Sequence, residues 1–157
     1  MKILKTIKII FLFLILDTLL KAETLTGKVV SVTDGDTIKL LTKDKTLYKI
    51  RLECIDAPEK SQAFGKQSKN NLSRLLAGKI ADIHYEKKDR YGRILGSVYM
   101  EGINVNLKQI EDGYAWVYRR YCHKADYIKA EEYARTNKLG LWYDKHPMAP
   151  WDYRHKK

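Results

Sequence analysis

Residues 25–52 read LTGKVVSVTDGDTIKLLTKDKTLYKIRL, and their pattern is that of successive strands. Leu25–Val32 is apolar-rich, with β-branched Val29, Val30 and Val32. Asp34-Gly35 is a turn signal, and Thr37–Leu41 resumes the strand. Lys43-Asp44-Lys45 makes the next turn, Leu47–Leu52 alternates again, and Pro58 ends the strand region.

Working outward, Gly65–Ala77 fits a helix: Phe64, Leu72, Leu75 and Leu76 share a face while Lys66, Lys69 and Arg74 point elsewhere. Ile80–Lys88 returns to alternation, Asp89–Gly92 is a turn, and Ile94–Met100 is a further strand. Glu101-Gly102 turns the chain into a short helix over Val105–Glu111. Ala125–Asn137 is the clearest helix, with Gly140 placed to cap its end. The stretch 146–157 holds two prolines and no periodicity, and reads as a basic tail along the surface, pinned by Trp142 and Trp151. Five strands with about three helices predict an α+β fold, a five-stranded β-barrel of the oligonucleotide-binding (OB) type.

Thirty basic residues stand against nineteen acidic ones, a net charge of +11. Such a surface favours polyanions: nucleic acid, anionic membrane or acidic polysaccharide. The N-terminus has the layout of an export signal. Lys2, Lys5 and Lys8 precede the apolar run Ile9–Leu16, and Ala22 offers a small residue for cleavage. With Asp17 inside it, the run to Leu20 is too short for a stable membrane span. The expected division is therefore a cleaved signal over 1–22, one domain over 23–145 and the tail over 146–157. The first 22 residues carry four lysines and one aspartate, so the remainder keeps a net charge of +8. Export implies a periplasmic, cell-surface or extracellular protein. Cys54 and Cys122 are the only cysteines. Export permits a disulfide between them, but their spacing demands none, and two free, partly buried thiols are the favoured reading.

Two acidic motifs stand out: Asp-Gly-Asp-Thr at 34–37 and Ile-Asp-Ala-Pro-Glu at 55–59. Asp36 and Asp56 each lie where a strand meets a turn, and Ala57 can add its carbonyl oxygen, so the three suit a hard cation. Glu59 stands where it can orient or deprotonate a water. Arg51, in an otherwise apolar strand, wants a fixed anionic partner, and Arg93 closes the turn Asp-Arg-Tyr-Gly-Arg at 89–93. Singly, each acidic motif reads as a structural turn or loop, and each arginine as half of an ion pair. Together they are the set needed for metal-assisted phosphodiester cleavage.

The chain resembles the staphylococcal nuclease-like (thermonuclease) family. The resemblance runs from about Leu25 to Trp142 and rests on VTDGDTIKL (32–40), IRLECIDAPE (50–59), DRYGR (89–93), GYAWVY (113–118) and LGLW (139–142). It implies that Asp36, Asp56 and the Ala57 carbonyl hold calcium, with Asp34 just behind, and that Glu59 handles the attacking water. Arg51 and Arg93 would stabilise the charge on phosphorus. Arg90, Tyr91, Trp116 and Tyr118 match substrate-contacting positions, although Trp116 reads equally well as barrel-end packing. Two departures are visible: Ala57 stands where the archetype has threonine, and the loop 59–63 is shorter.

The expected activity is that of a secreted, calcium-dependent, sugar-nonspecific nuclease. It would act as a monomer, with no stable protein partner, on single-stranded or locally unpaired DNA and RNA, leaving 3′-phosphorylated products. The alternative is a non-catalytic OB-fold nucleic-acid-binding protein, which would keep the basic face and lose part of the charged set. Arg51, Glu59, Arg93, Asp36 and Asp56 are all present.

Overall fold

A computed structural model describes residues 23–156; the expected export signal, 1–22, lies outside them. β1 (Glu23–Asp34), β2 (Thr37–Leu41) and β3 (Leu47–Leu52) form the expected meander, and β5 (Ile80–Lys88) and β6 (Ile94–Met100) form a second hairpin. β1 also pairs with β5 in antiparallel fashion, and β3 meets β6 in parallel through Ile50–Leu52 and Ile94–Gly96. That last pairing closes the sheet into a five-stranded barrel with no free edge along this seam. Short pieces complete the sheet structure: β7 (Ile103–Asn104) beside β6, and β4 (Ile55–Asp56) paired with β8 (Trp116–Val117).

Strand alternation sends Ile38, Leu40, Ile50, Leu52, Ile83 and Val98 fully into the barrel. Each such side chain stabilises the fold by roughly 1.5–3 kcal/mol. Helix α1 (Gly65–Leu76) closes one end with Leu72 and Leu76; α2 (Val105–Glu111) and α3 (Ala125–Thr136) add Val105, Ile110 and Tyr127. A second apolar cluster joins Trp116, Ala134, Leu141, Trp142 and Ala149, with Phe64, Leu139 and Trp151 against it.

Buried side-chain amides lock these layers together. The Asn106 carboxamide accepts from the Val98 amide and donates to the carbonyls of Glu53 and Gly96. Gln109 donates to the carbonyls of Gly35 and Ser68 and accepts from Asn71. Both residues are wholly buried, so each bond satisfies a group whose desolvation would otherwise count against folding. The Gln109 bond fixes the β1–β2 turn that separates Asp34 from Asp36.

Several expectations change. The segment 150–155 is not an aperiodic tail: Pro150–His155 is a fourth helix, α4, after a 3₁₀ turn at Gly140–Tyr143. Pro150 sits at the first helical position, where its missing N–H costs nothing. Phe64 does not share the α1 face; it stands at the N-cap with φ 65° and packs into the second cluster. After α3 the left-handed residue is Lys138 (φ 53°), and Gly140 opens the 3₁₀ turn instead of capping α3. Cys54 and Cys122 are not free thiols but form a disulfide across a separation of 68 residues. Sequence spacing could not show this, because the pairing arises when β8 and its following turn fold back onto β4. Among the described residues no helix is long and apolar enough to cross a membrane.

Candidate active site

The β1–β2 turn and the β3–β4 corner meet at one mouth of the barrel. Register explains the meeting: Thr37 pairs with Arg51 across β2 and β3, and the Leu52 amide donates to the Asp36 carbonyl at 2.8 Å. The second acidic motif is thereby laid beside the first. The Ala57 amide completes the join by donating to Asp36 Oδ2 at 2.8 Å.

Asp36 and Asp56 are 7% and 2% exposed, deep burial for carboxylates. What holds them is Arg51. Its Nη2 lies 3.2 Å from Asp36 Oδ2 and 3.1 Å from Asp56 Oδ1, and its Nη1 donates to the carbonyls of Leu52 and Ile55. The guanidinium therefore ties the strand corner together as well as neutralising the acids. One oxygen from each carboxylate thus lies within 3.2 Å of the same guanidinium nitrogen, which makes the two acids close neighbours.

Burial is the main cause that raises the Asp56 carboxyl above its usual range; the hydrogen bond from Arg154 and the charge of Arg51 oppose it. Asp34 is pushed up to about 6, first by burial and then by the charge of Asp36. Asp34 accepts from the Asp36 amide at 3.2 Å, so its carboxylate lies against Asp36 across the β1–β2 turn.

Arg154, unflagged in the sequence reading, reaches into the same mouth from α4. Its Nη2 lies 2.7 Å from Asp56 Oδ2 and its Nη1 2.7 Å from Glu59 Oε1. Pro150 after Ala149 and the acid Asp152 in the first turn are helix-start signals that could have revealed α4; no sequence signal points its fifth residue at Asp56.

The mouth opens into a cleft of about 1410 Å³ whose walls include Arg51, Asp56, Glu59, Arg93, Tyr118 and Arg154. On one side stands the β5–β6 turn. There the Asp89 carboxylate accepts from the amides of Tyr91 and Arg93 and, at 2.7 Å, from Arg93 Nε. Tyr91 is 70% exposed, and Arg90 and Arg93 lie 4.8 and 5.6 Å from its ring centre. Tyr118, also in the cleft wall, lies parallel to Trp151 at 5.7 Å and edge-on to Tyr121 at 4.9 Å.

Trp116 also borders the cleft, but its indole is packed against Trp142 and Trp151 and carries the Arg135 guanidinium over its ring. Its packing role is therefore plain. Glu131, 1% exposed, holds this wall in place: it accepts from the Val117 amide at 2.9 Å and pairs with Arg119 and Arg135.

The donor chemistry at the mouth suits a hard cation: two convergent carboxylates supply only oxygens. Among the described residues no group of three His, Cys, Asp or Glu side chains is arranged to hold a metal. A cation seated by Asp36 and Asp56 would thus need further oxygens from a carbonyl, such as that of Ala57, from water and from substrate. That mixed set is ordinary for calcium and magnesium.

A family model described as staphylococcal nuclease homologue matches residues 49–144. An uncharacterized endonuclease of Haemophilus influenzae is 44% identical over 132 residues, covering 84% of this chain and 74% of that protein. A similarly named endonuclease of Escherichia coli is 46% identical over 132 residues, covering 83% and 86%. A micrococcal nuclease of Shigella flexneri is 37% identical over 139 residues, covering 82% and 79%.

Proposed function

The chain belongs to the staphylococcal nuclease family and is a hydrolase of phosphodiester bonds; on that premise we propose that it is exported, depends on calcium, and cleaves DNA and RNA alike to 3′-phosphorylated products. The observation that carries this reading is the convergence of Asp36 and Asp56 on Arg51 Nη2, at the floor of a cleft also walled by Glu59 and Arg93.

Asp36, Asp56 and the Ala57 carbonyl would hold the ion. When bound, it would supply Lewis-acid polarisation of a phosphoryl oxygen and neutralise part of the substrate's charge. Glu59 is the carboxylate closest to solvent, with its side chain 39% exposed; it takes the role of orienting a water and accepting its proton. Arg93 offers guanidinium donors to the equatorial oxygens, whose negative charge grows as water adds to phosphorus, and Arg51, its Nη groups engaged by Leu52, Ile55, Asp36 and Asp56, adds positive charge beside them. Arg93 then assists the leaving 5′-oxygen. The exposed Tyr91 and the partly exposed Tyr118 offer ring faces and edges to unpaired bases, and Arg90 offers charge to a neighbouring phosphate. The family resemblance is the reason for expecting both DNA and RNA as substrates.

Support for export comes from the N-terminal pattern and from the Cys54–Cys122 bond, which persists in oxidising compartments. The deciding experiment incubates purified protein with single- and double-stranded DNA and RNA, in calcium, in magnesium and in chelator. Calcium-dependent cleavage of both DNA and RNA with 3′-phosphate ends is expected. Activity unchanged by chelator, or cleavage of only one of the two nucleic acids, removes the corresponding part of the reading.

A further inference from the structure

We propose that Arg154 is a built-in competitor for the divalent cation at Asp36 and Asp56, so that the C-terminal helix sets the affinity of the metal seat. This rests on the calcium reading above and extends it to a residue beyond the segment the family model matches, which ends at residue 144.

The geometry makes the conflict direct. Arg154 Nη2 is 2.7 Å from Asp56 Oδ2 and Nη1 is 3.3 Å from Oδ1, while Arg51 Nη2 holds Oδ1 at 3.1 Å. Both oxygens of Asp56 are thus engaged by guanidinium donors. A charge-assisted bond of this kind is among the stronger ones a carboxylate makes, and it has to be given up or shared before Asp56 ligates an ion. Charge acts in the same sense. Three carboxylates, Asp36, Asp56 and Glu59, face two guanidiniums here. Without Arg154 the seat is one unit more negative and attracts a divalent cation more strongly.

The competitor is tethered. Ala149 is buried, Trp151 packs edge-on to Trp116 at 5.6 Å, and the Tyr153 hydroxyl lies 3.0 Å from that of Ser61. These contacts hold α4 in place independently of its arginine. The Arg154 side chain is 41% exposed on a flexible stem, so its head can leave Asp56 while the helix stays docked. Tethering keeps its effective concentration at the seat high and constant. A plain structural reading, in which Arg154 only staples α4 to the barrel, predicts no effect on ion affinity.

The test is calorimetric titration of calcium into the purified protein without nucleic acid, comparing wild type, Arg154→Gln, Arg154→Lys and Asp56→Asn, with melting curves at each calcium level. Arg154→Gln is expected to bind calcium at least about tenfold more tightly, the strength of one lost charge-assisted bond. Arg154→Lys, which keeps the charge and loses the two-pronged fit, should fall between. The calcium-induced rise in melting temperature should be larger in Arg154→Gln than in wild type. Equal or weaker binding by both Arg154 variants overturns the competition while leaving the calcium reading intact. Absence of calcium binding in every variant overturns both.

Discussion

The backbone amide of Ala57 donates to the carboxylate of Asp36 at 2.8 Å, joining the two acidic motifs across 21 residues of chain. Asp36 therefore has a structural duty beside its chemical one. Asp36→Asn keeps an acceptor for that amide and should fold nearly as well as wild type. Asp36→Ala strands a buried N–H and leaves Arg51 short of a partner, at a cost of about 1–3 kcal/mol. Both substitutions should remove cation-dependent cleavage. Urea unfolding beside a nuclease assay separates the effects, and equal stability of the two variants would show that the amide bond contributes nothing.

Gly35 separates Asp34 from Asp36, and its place is set by contact with α1. A side chain there would put its Cβ 1.9 Å from Ser68 Oγ and 2.7 Å from the Ala57 Cβ. Gly35→Ala should cost about 1–3 kcal/mol through overpacking and should lower activity as well, because the displaced turn carries Asp36. Adding Ser68→Ala should restore only part of either, since the Ala57 contact persists. Wild-type melting temperature and activity in Gly35→Ala would mean that the turn yields without strain.

The barrel was readable because its signals are local. Valine- and isoleucine-rich alternation broken at Asp34-Gly35 and Lys43-Asp44-Lys45 gives three strands, and the structure places β2 and β3 at the expected residues. The acidic motifs and both arginines were readable as a set because so few chemistries need that combination. What escaped depends on long-range contact. Helix α4 has six residues, too few for a periodicity, and its position follows from the stacking of Trp151 on Tyr118. Arg154 could be placed at Asp56, 98 residues away, only after that docking. The disulfide and the Glu131 pairings likewise follow from β8 folding against β4 and α3.

Arg93 and Glu59 both line the cleft, and neither is fully buried: their side chains are 26% and 39% exposed. Their removal should therefore touch chemistry more than folding. Arg93→Ala and Glu59→Ala are each expected to lower the turnover rate at least about a hundredfold, the scale of losing one charge-stabilising or proton-transferring group. Asp89 will lose its guanidinium partner in the first variant, a partly exposed pair worth little to stability. Full activity in either variant at saturating calcium and substrate would withdraw the role assigned to that residue.

The Cys54–Cys122 bond closes a long loop, and long loops gain most from closure in the chain-entropy account. For a separation of 68 residues that account gives an upper figure of about 4 kcal/mol, and native disulfides typically contribute about 2–4 kcal/mol. Cys54→Ala/Cys122→Ala should lose stability in that range, as should wild type under reductant. Activity at room temperature should be affected far less. Tyr118 still donates to the Cys54 carbonyl at 2.8 Å, and Ile55 and Asp56 still pair with Val117 and Trp116, so β4 keeps its backbone support without the covalent link. Urea titrations with and without reductant, paired with initial rates, test this directly. Loss of activity in protein that is still folded would instead show that the bond positions Asp56, two residues along the chain from Cys54.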